Sequence, residues 1–459
     1  MRIIFNTQEG FIMRKVFYVV LGSGLFLFDF SLQASPKTAP RTPWFTTDPN
    51  LMTKEMIIEA NIQNHITPAG LLLYTAVFPW SDQNKYLFSH DVADLPAWQG
   101  YLMAAYAFKE AVTGQDQDLQ ILRLTKGLLK YYEVTGIPGL LGRSAMPDYT
   151  GPRLPWMSDE TDRPTRFWMQ GPQGQWWRNG VAKDHFNLAV FGVAIPLALE
   201  RLGRIQLAPE TKQALLDFLM PLVRRFVQNG FEIADWNGKT TEFGNLSPQI
   251  ANGFNQLLSL HILVTAAYFD NQIYQVYRYG RKKWARTIQY SLEALGQFVS
   301  RYIDEKRGEI DKPSFSDMQA TGLAYISLAL QDVTKDYLEP IRDGIQGLWK
   351  FMRYERNPMF AIPFIATIRM QDLPRMAAIV EDLRDFPIDK YEGLTLYKDT
   401  TYIQPLANRP YNSNYWKSNP FRLTLAPPPP RTENEAVHAG MDYLLAYWMG
   451  RFFGLVPAE

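Results

Sequence analysis

From Leu51 onward, apolar residues recur at three- and four-residue steps in segment after segment, and most of these segments stand in consecutive pairs joined by short turns. Such a chain has little alternating sequence from which to build a large sheet, so its apolar stripes must be buried helix against helix. The spacing predicts about twelve helices. One lies near 53–66. The next, 94–113, opens with Asp94-Leu95-Pro96, an N-cap with proline in the first turn, and stops at Gly114. A helix over 116–135 stops at Gly136, ahead of Pro138. Further helices are expected over 182–202, 209–229, 252–269, 281–303, 316–331, 335–353, 358–370, 373–384 and 435–453.

Strand signal is weak by comparison. A hairpin is expected over 231–243, turning at Asn237-Gly238. Residues 426–431 hold four successive prolines and read as an exposed polyproline strap. Strict repeats and composition breaks are both missing, so 51–459 reads as one all-α domain. Ahead of it, 35–50 carries four prolines and reads as a linker.

The first 34 residues read as an export signal. Arg14 and Lys15 precede an apolar run over 16–28, which is followed by Ser31-Leu32-Gln33-Ala34-Ser35. That run is shorter than the roughly 20 residues of a membrane-spanning helix. Met13 is a candidate true start. Periplasmic or secreted placement follows, with no stable membrane insertion once the signal is removed.

Composition excludes several chemistries. With 47 basic and 46 acidic side chains, no overall excess of positive charge favours nucleic acid. Cysteine is absent, which removes disulfides, thiolate metal sites and cysteine nucleophiles. Phosphate-binding glycine loops, the Gly-x-Ser-x-Gly elbow and His-Glu-x-x-His are missing too. No cofactor and no metal are therefore expected. Aromatic content is high at 14%, and surplus Trp and Tyr suit a cleft that stacks the flat faces of sugar rings.

Several predicted helices begin with polar residues on a single face. Asn252, Asn255, Gln256 and Ser259 form one stripe, and Asp184 with Asn187 form another. Asp94 and Trp98 pair in the same way. Capping explains any one of these residues. Their recurrence suggests helix starts gathered around a pocket of carboxylates, amides and aromatic planes.

Paired helices, the turn Thr113-Gly114-Gln115-Asp116, and Val134-Thr135-Gly136-Ile137-Pro138-Gly139-Leu140 followed by Arg143 resemble the six-hairpin (α/α)6 toroid proteins. Residues 178–186, Arg-Asn-Gly-Val-Ala-Lys-Asp-His-Phe, are similar to the loop-plus-Asp entry into an inner helix of that superfamily. Ala182 stands where a Ser or Thr is common. The ending Tyr443-Leu444-Leu445-Ala446-Tyr447-Trp448-Met449-Gly450-Arg451 looks like a last barrel helix. The resemblance implies an (α/α)6 toroid and an activity among glycoside hydrolases, polysaccharide lyases and related sugar enzymes.

On that reading, an oligo- or polysaccharide is cleaved by two carboxyl groups, one acid and one base or nucleophile. Asp184 is the first candidate and Asp91 the second, since Asp94 is expected to act as the helix cap. Asp235, Glu242 and Asp317 stand in reserve, the first two on a hairpin able to cover the mouth. His185 is a candidate acid–base partner. Neighbours on a helix diverge, so Asp184 and His185 are not expected to share a metal. Arg143 and Arg178 are candidates to orient the sugar, with Arg409 in a later loop. Asn187, Asn252 and Asn255 are candidate hydrogen-bonding groups. Trp98, Trp236 and Trp416 are candidate stacking platforms, and Trp176-Trp177 is taken as a loop pair. Two alternatives stand beside the hydrolase. In a lyase or uronate-acting enzyme, His185, Asn252 and Arg178 would matter most. A non-catalytic glycan-binding scaffold would use the same cleft for affinity alone.

Overall fold

The computed structural model describes residues 14–21, 24–31, 50–76, 94–154, 157, 167–247, 252–305, 315–331, 335–352, 357–368, 373–388, 396–399, 422–426 and 437–457. The chain separates into two units, Met1–Thr47 and Asp48–Glu459. In the first, β1 (Arg14–Leu21) and β2 (Gly24–Ser31) pair antiparallel from Arg14↔Ser31 to Leu21↔Gly24.

The second unit is mostly helical, with twelve helices among the described residues. They are α1 (Leu51–Gln63), α2 (Leu95–Thr113), α3 (Asp118–Thr135), α4 (Lys183–Arg201), α5 (Pro209–Gln228) and α6 (Gly253–Ala267). Then come α7 (Asn271–Glu305), α8 (Phe315–Gln331), α9 (Lys335–Met352), α10 (Pro358–Ile368), α11 (Leu373–Asp385) and α12 (Met441–Phe452). α2 and α3 end where the glycine signals place their ends, at Gly114 and Gly136. α7 begins ten residues before the expected start, while α12 begins after the two-residue strand at Val437–His438.

Two kinds of helix alternate. α2, α4, α6 and α12 are buried almost all round, whereas α3 and α5 bury one stripe and expose the other. α2 packs between α12 and α4; α8 packs against α4, α6 and α10; α10 returns to α12. The amphipathic set lies against these, α3 on α2 and α5, α7 on α6 and α9, and α11 on α10. Lys54 of α1 is 2% exposed and donates to the carbonyls of Leu383, Arg384 and Phe386. It thereby satisfies carbonyls at the end of α11 that no helical N–H can reach.

α2 and α4 meet backbone to backbone. A Cβ on Gly100 would stand 2.0 Å from the Leu188 carbonyl oxygen, and one on Gly192 would stand 2.3 Å from Gly100 Cα. The two backbones touch, and only glycine permits it.

Short strands fill the connections. β3 (Thr75–Ala76) pairs with β11 (Val437–His438), and β9 (Leu396–Asp399) with β10 (Arg422–Ala426). β4 (Ser144–Met146), β6 (Trp176–Arg178) and β5 (Trp168–Gln170) form one sheet in that order. The expected hairpin is present as β7 (Glu232–Ala234) and β8 (Thr240–Asn245). Trp176 and Trp177 are not loop residues: they lie in β6, 9% and 2% exposed. The proline strap lies outside the described residues, apart from Ala426. No helix among the described residues is long and apolar enough to cross a membrane.

Candidate functional site

The sequence marks Asp94 as a helix cap, and the structure gives it another task. Its backbone is left-handed, at φ 73°, and its side chain makes no cap hydrogen bond. The carboxylate instead meets two donors from elsewhere in the chain. Arg143 Nη2 donates to Oδ1 at 2.5 Å, and His185 Nε2 stands 2.8 Å from the same oxygen. All three residues are buried. Local strain of this kind persists only where the surroundings enforce it, and here a guanidinium and an imidazole do so.

β4 positions Arg143: its N–H bonds the Arg178 carbonyl at 2.8 Å, joining the strand to the end of β6. Arg143 Nη1 donates to the Gly180 carbonyl at 3.3 Å. Behind it lies Asp235, which accepts from Asn179 Nδ2 at 3.0 Å and from the Trp236 N–H at 2.9 Å. Burial raises the Asp235 pKa, opposed by these hydrogen bonds, one from the Gly180 N–H, and the charge of Arg225.

His185 and Asp184 open the first turn of α4. The expected divergence of these neighbours does not occur, because Asp184 curls over its own turn. Its Oδ1 accepts the His185 backbone N–H at 3.1 Å and lies 3.4 Å from His185 Nε2. Of the two carboxylates, Asp94 is the nearer partner of Nε2. His185 Nδ1 is buried with no hydrogen-bond partner. The Asp184 side chain keeps 12% exposure, against 3% for His185.

Further polar groups come from neighbouring helix starts. Lys183 lies 3.6 Å from Asp317 of α8, with Nζ 4.7 Å from the Phe254 ring centroid of α6, so the three helices begin together. Asn187 donates to the Lys183 carbonyl at 2.9 Å, and its Oδ1 is buried without a partner. His261 Nε2 donates to the Asn187 carbonyl at 3.2 Å, and burial pushes its pKa down to about 4. Gln319 is fully buried with neither end of its amide hydrogen-bonded. Burial lifts the Tyr101 pKa well above the phenol range, and the charges of Asp442 and Asp184 add to the rise.

The expected binding residues divide. Asn255 is buried, donates to the Asn245 carbonyl at 3.0 Å, and holds an unpartnered Oδ1. Asn252 is exposed and caps α6 through the Phe254 N–H. Trp98 is 2% exposed and already stacks on Tyr74 at 4.6 Å. Trp236 is 44% exposed on the hairpin turn, tied to the network only through Asp235. Arg178 is half-buried. Asp91, Arg409 and Trp416 lie outside the described residues. Among the described residues, no cluster of three or more acidic or histidine side chains has the arrangement to hold a metal.

The sequence marks Asp94 among the polar helix starts but not its partners, because Asp-Leu-Pro is an ordinary helix opening and its contacts come from residues 49 and 91 positions away. No family model matches this chain, and no curated protein matches it.

Proposed function

We propose that this is an exported glycan-acting protein of the six-hairpin (α/α)6 toroid type, cleaving a glycosidic bond with Asp184. The observation that carries the reading is the placement of Asp184. Its side chain keeps 12% exposure in the first turn of the buried helix α4, beside the more enclosed Asp94–Arg143–His185 network. The circuit of buried helices through α12, α2, α4, α8 and α10, clothed by amphipathic ones, supports the toroid. The basic pair and apolar run near the N-terminus support export.

In the hydrolytic step, Asp184 acts on the glycosidic oxygen or on the attacking water, and a second carboxyl group completes the pair. Asp91 remains the candidate for that second group. Asp94, engaged by Arg143 and His185, serves to hold the histidine.

A specific feature favours elimination as the second reading. His185 has Nε2 held by Asp94 and a buried Nδ1 with no hydrogen-bond partner, so the ring is oriented with one nitrogen uncommitted, the arrangement of a positioned base. A base of that kind removes the proton α to a uronate carboxylate. Pure binding without turnover is the third.

The mature protein is to be incubated with neutral and acidic polysaccharides, following reducing ends and ultraviolet absorbance of unsaturated products together. New reducing ends without absorbance, abolished by Asp184→Asn, support hydrolysis. Absorbance that survives Asp184→Asn but not His185→Gln transfers the role to His185. Silence in both channels removes the enzymatic reading.

A further inference from the structure

A near-neutral total conceals one strongly basic element. Between Asp270 and Glu293 the chain contains no acidic residue, and that stretch forms the first two-thirds of α7. Arg278, Lys282, Lys283 and Arg286 are all exposed there. Among the described residues, none of the four meets an acidic side chain at ion-pair distance. Arg286 donates only to Gln289, and Lys283 only to the Tyr279 hydroxyl. Asp270, the one acid at the start of the helix, is occupied by Arg224 at 2.9 Å.

Aromatic rings accompany the charges. Tyr274, Tyr279 and Tyr290 are 39%, 61% and 63% exposed. Tyr279 and Tyr290 are eleven residues apart in one helix, so they share a face about 16 Å apart. Exposed tyrosines at this density on a helix whose other face is buried against α6 and α9 serve no packing purpose. Beside Tyr279 a cleft of about 630 Å³ opens between α7 and the start of α6, walled by Trp284 and offering Gln256, Gln275 and Thr287.

We propose that this face of α7 docks an anionic polysaccharide: the cations take its carboxylate or sulfate groups, and the tyrosines and cleft amides take its ring faces and hydroxyls. Only the glycan partner is shared with the function proposed above; no catalytic step is involved. Three features separate this occupant from other anionic ones. Over residues 271–294 of α7, the exposed positions carry no large aliphatic side chain to bury in a lipid interface. Gln256, Gln275 and Thr287 line the cleft beside the rings of Phe231, Tyr279 and Trp284, which suits a sugar's hydroxyls and apolar ring faces. The cations lie along one exposed ridge, whereas single-stranded nucleic acid is tracked along a charged groove.

The test uses the full chain and four probes: polygalacturonate, a neutral glucan of similar length, oligodeoxythymidylate, and vesicles of phosphatidylserine and phosphatidylcholine. Polygalacturonate is expected to bind with an affinity that falls as salt rises. The triple charge reversal Arg278→Glu, Lys282→Glu and Arg286→Glu is expected to weaken that binding at least tenfold. Tyr279→Ala with Tyr290→Ala is expected to weaken it several-fold while leaving the salt dependence unchanged. All five positions are exposed, and unchanged circular dichroism shows that the variants fold. Asp184→Asn is expected to bind like the parent, so loss of turnover and loss of docking are scored apart. Polygalacturonate binding equal in parent and charge-reversed protein overturns the proposal. So does equal or tighter binding of the oligonucleotide or the vesicles through the same residues.

Discussion

Replacing Gly100 by alanine sets two effects against each other. An interior helical glycine costs about 1 kcal/mol relative to alanine, so propensity alone makes Gly100→Ala stabilising by that amount. The structure opposes it. The new methyl would lie 2.0 Å from the Leu188 carbonyl oxygen and 2.7 Å from its carbon, both backbone atoms that no rotamer change can move. Reaching even a tight contact of 3.0 Å requires α2 and α4 to part by about 1 Å along their seam. A gap of that size forfeits roughly a quarter to a half of each dispersion contact across the interface. Overpacking typically costs 1–3 kcal/mol, and a clash with immovable backbone belongs at the upper end, about 3 kcal/mol; against the propensity gain of about 1 kcal/mol, a net loss of about 2 kcal/mol is expected. Gly192→Ala meets Gly100 Cα at 2.3 Å and should cost a similar amount. Because one separation of the helices relieves both clashes, the double variant should lose clearly less than the two single losses added together. Urea denaturation at constant m-value reads all three changes. A stabilised Gly100→Ala, or strictly additive losses, would refute the backbone-contact argument.

Two buried groups should hide each other's pH dependence. Burial raises Glu55 from 4.5 to about 7, partly countered by Lys109, so its contribution to stability is complete below pH 4.5 and is lost by about pH 7. Burial lowers His261 from 6.5 to about 4, so its contribution is complete above pH 6.5 and is lost as pH falls to about 4. Each is worth about 3 kcal/mol across its window. Glu55→Gln should therefore unmask stability that climbs with pH between 5 and 6.5, and His261→Gln the reverse; flat profiles in both variants would contradict the assignment. Arg143→Met removes the guanidinium from the buried Asp94 carboxylate and should destabilise by about 3 kcal/mol, whereas exchanging the exposed pair Lys126–Glu210 for neutral residues should change thermal stability by less than 1 kcal/mol. Lys54→Met removes three hydrogen bonds to carbonyls near the α11 C-terminus and should cost at least 2 kcal/mol, with hydrogen exchange accelerating first in α11.

What the sequence made legible is what local periodicity encodes. The glycine stops of α2 and α3, the Asn237-Gly238 hairpin and the spans of α4, α5 and α8 are all read from neighbouring residues. Strands of two or three residues such as β4 and β6 carry no period long enough to see, so Trp176-Trp177 read as a loop although the pair is sheet and core. That Asp184 and His185 fall in the first turn of α4 was legible because a helix start is a local signal. The Asp94–Arg143–His185 contact was not, since it joins three distant elements and its sequence cue is shared with any capped helix. Asn252 illustrates the opposite error: its stripe with Asn255 was real, yet the first residue spends its side chain on the helix end. The basic face of α7 was obscured by a total of +1, because a sum over the chain carries no position.

The lysine that fastens α1 to the end of α11 also bears on how the chain is made. Its partners lie 329 to 332 residues downstream, and Trp448 donates to Glu55 across 393 positions. At ribosomal speeds of roughly 5–20 residues per second, α1 waits tens of seconds before either partner exists. During that interval Glu55 can already pair with Lys109, 54 residues downstream, but the buried Lys54 has none of its α11 carbonyls and the helix cannot seat fully. The seam between the two ends of the helical body is therefore the last to shut, and a nascent chain stalled before α11 would be expected to attract chaperones there.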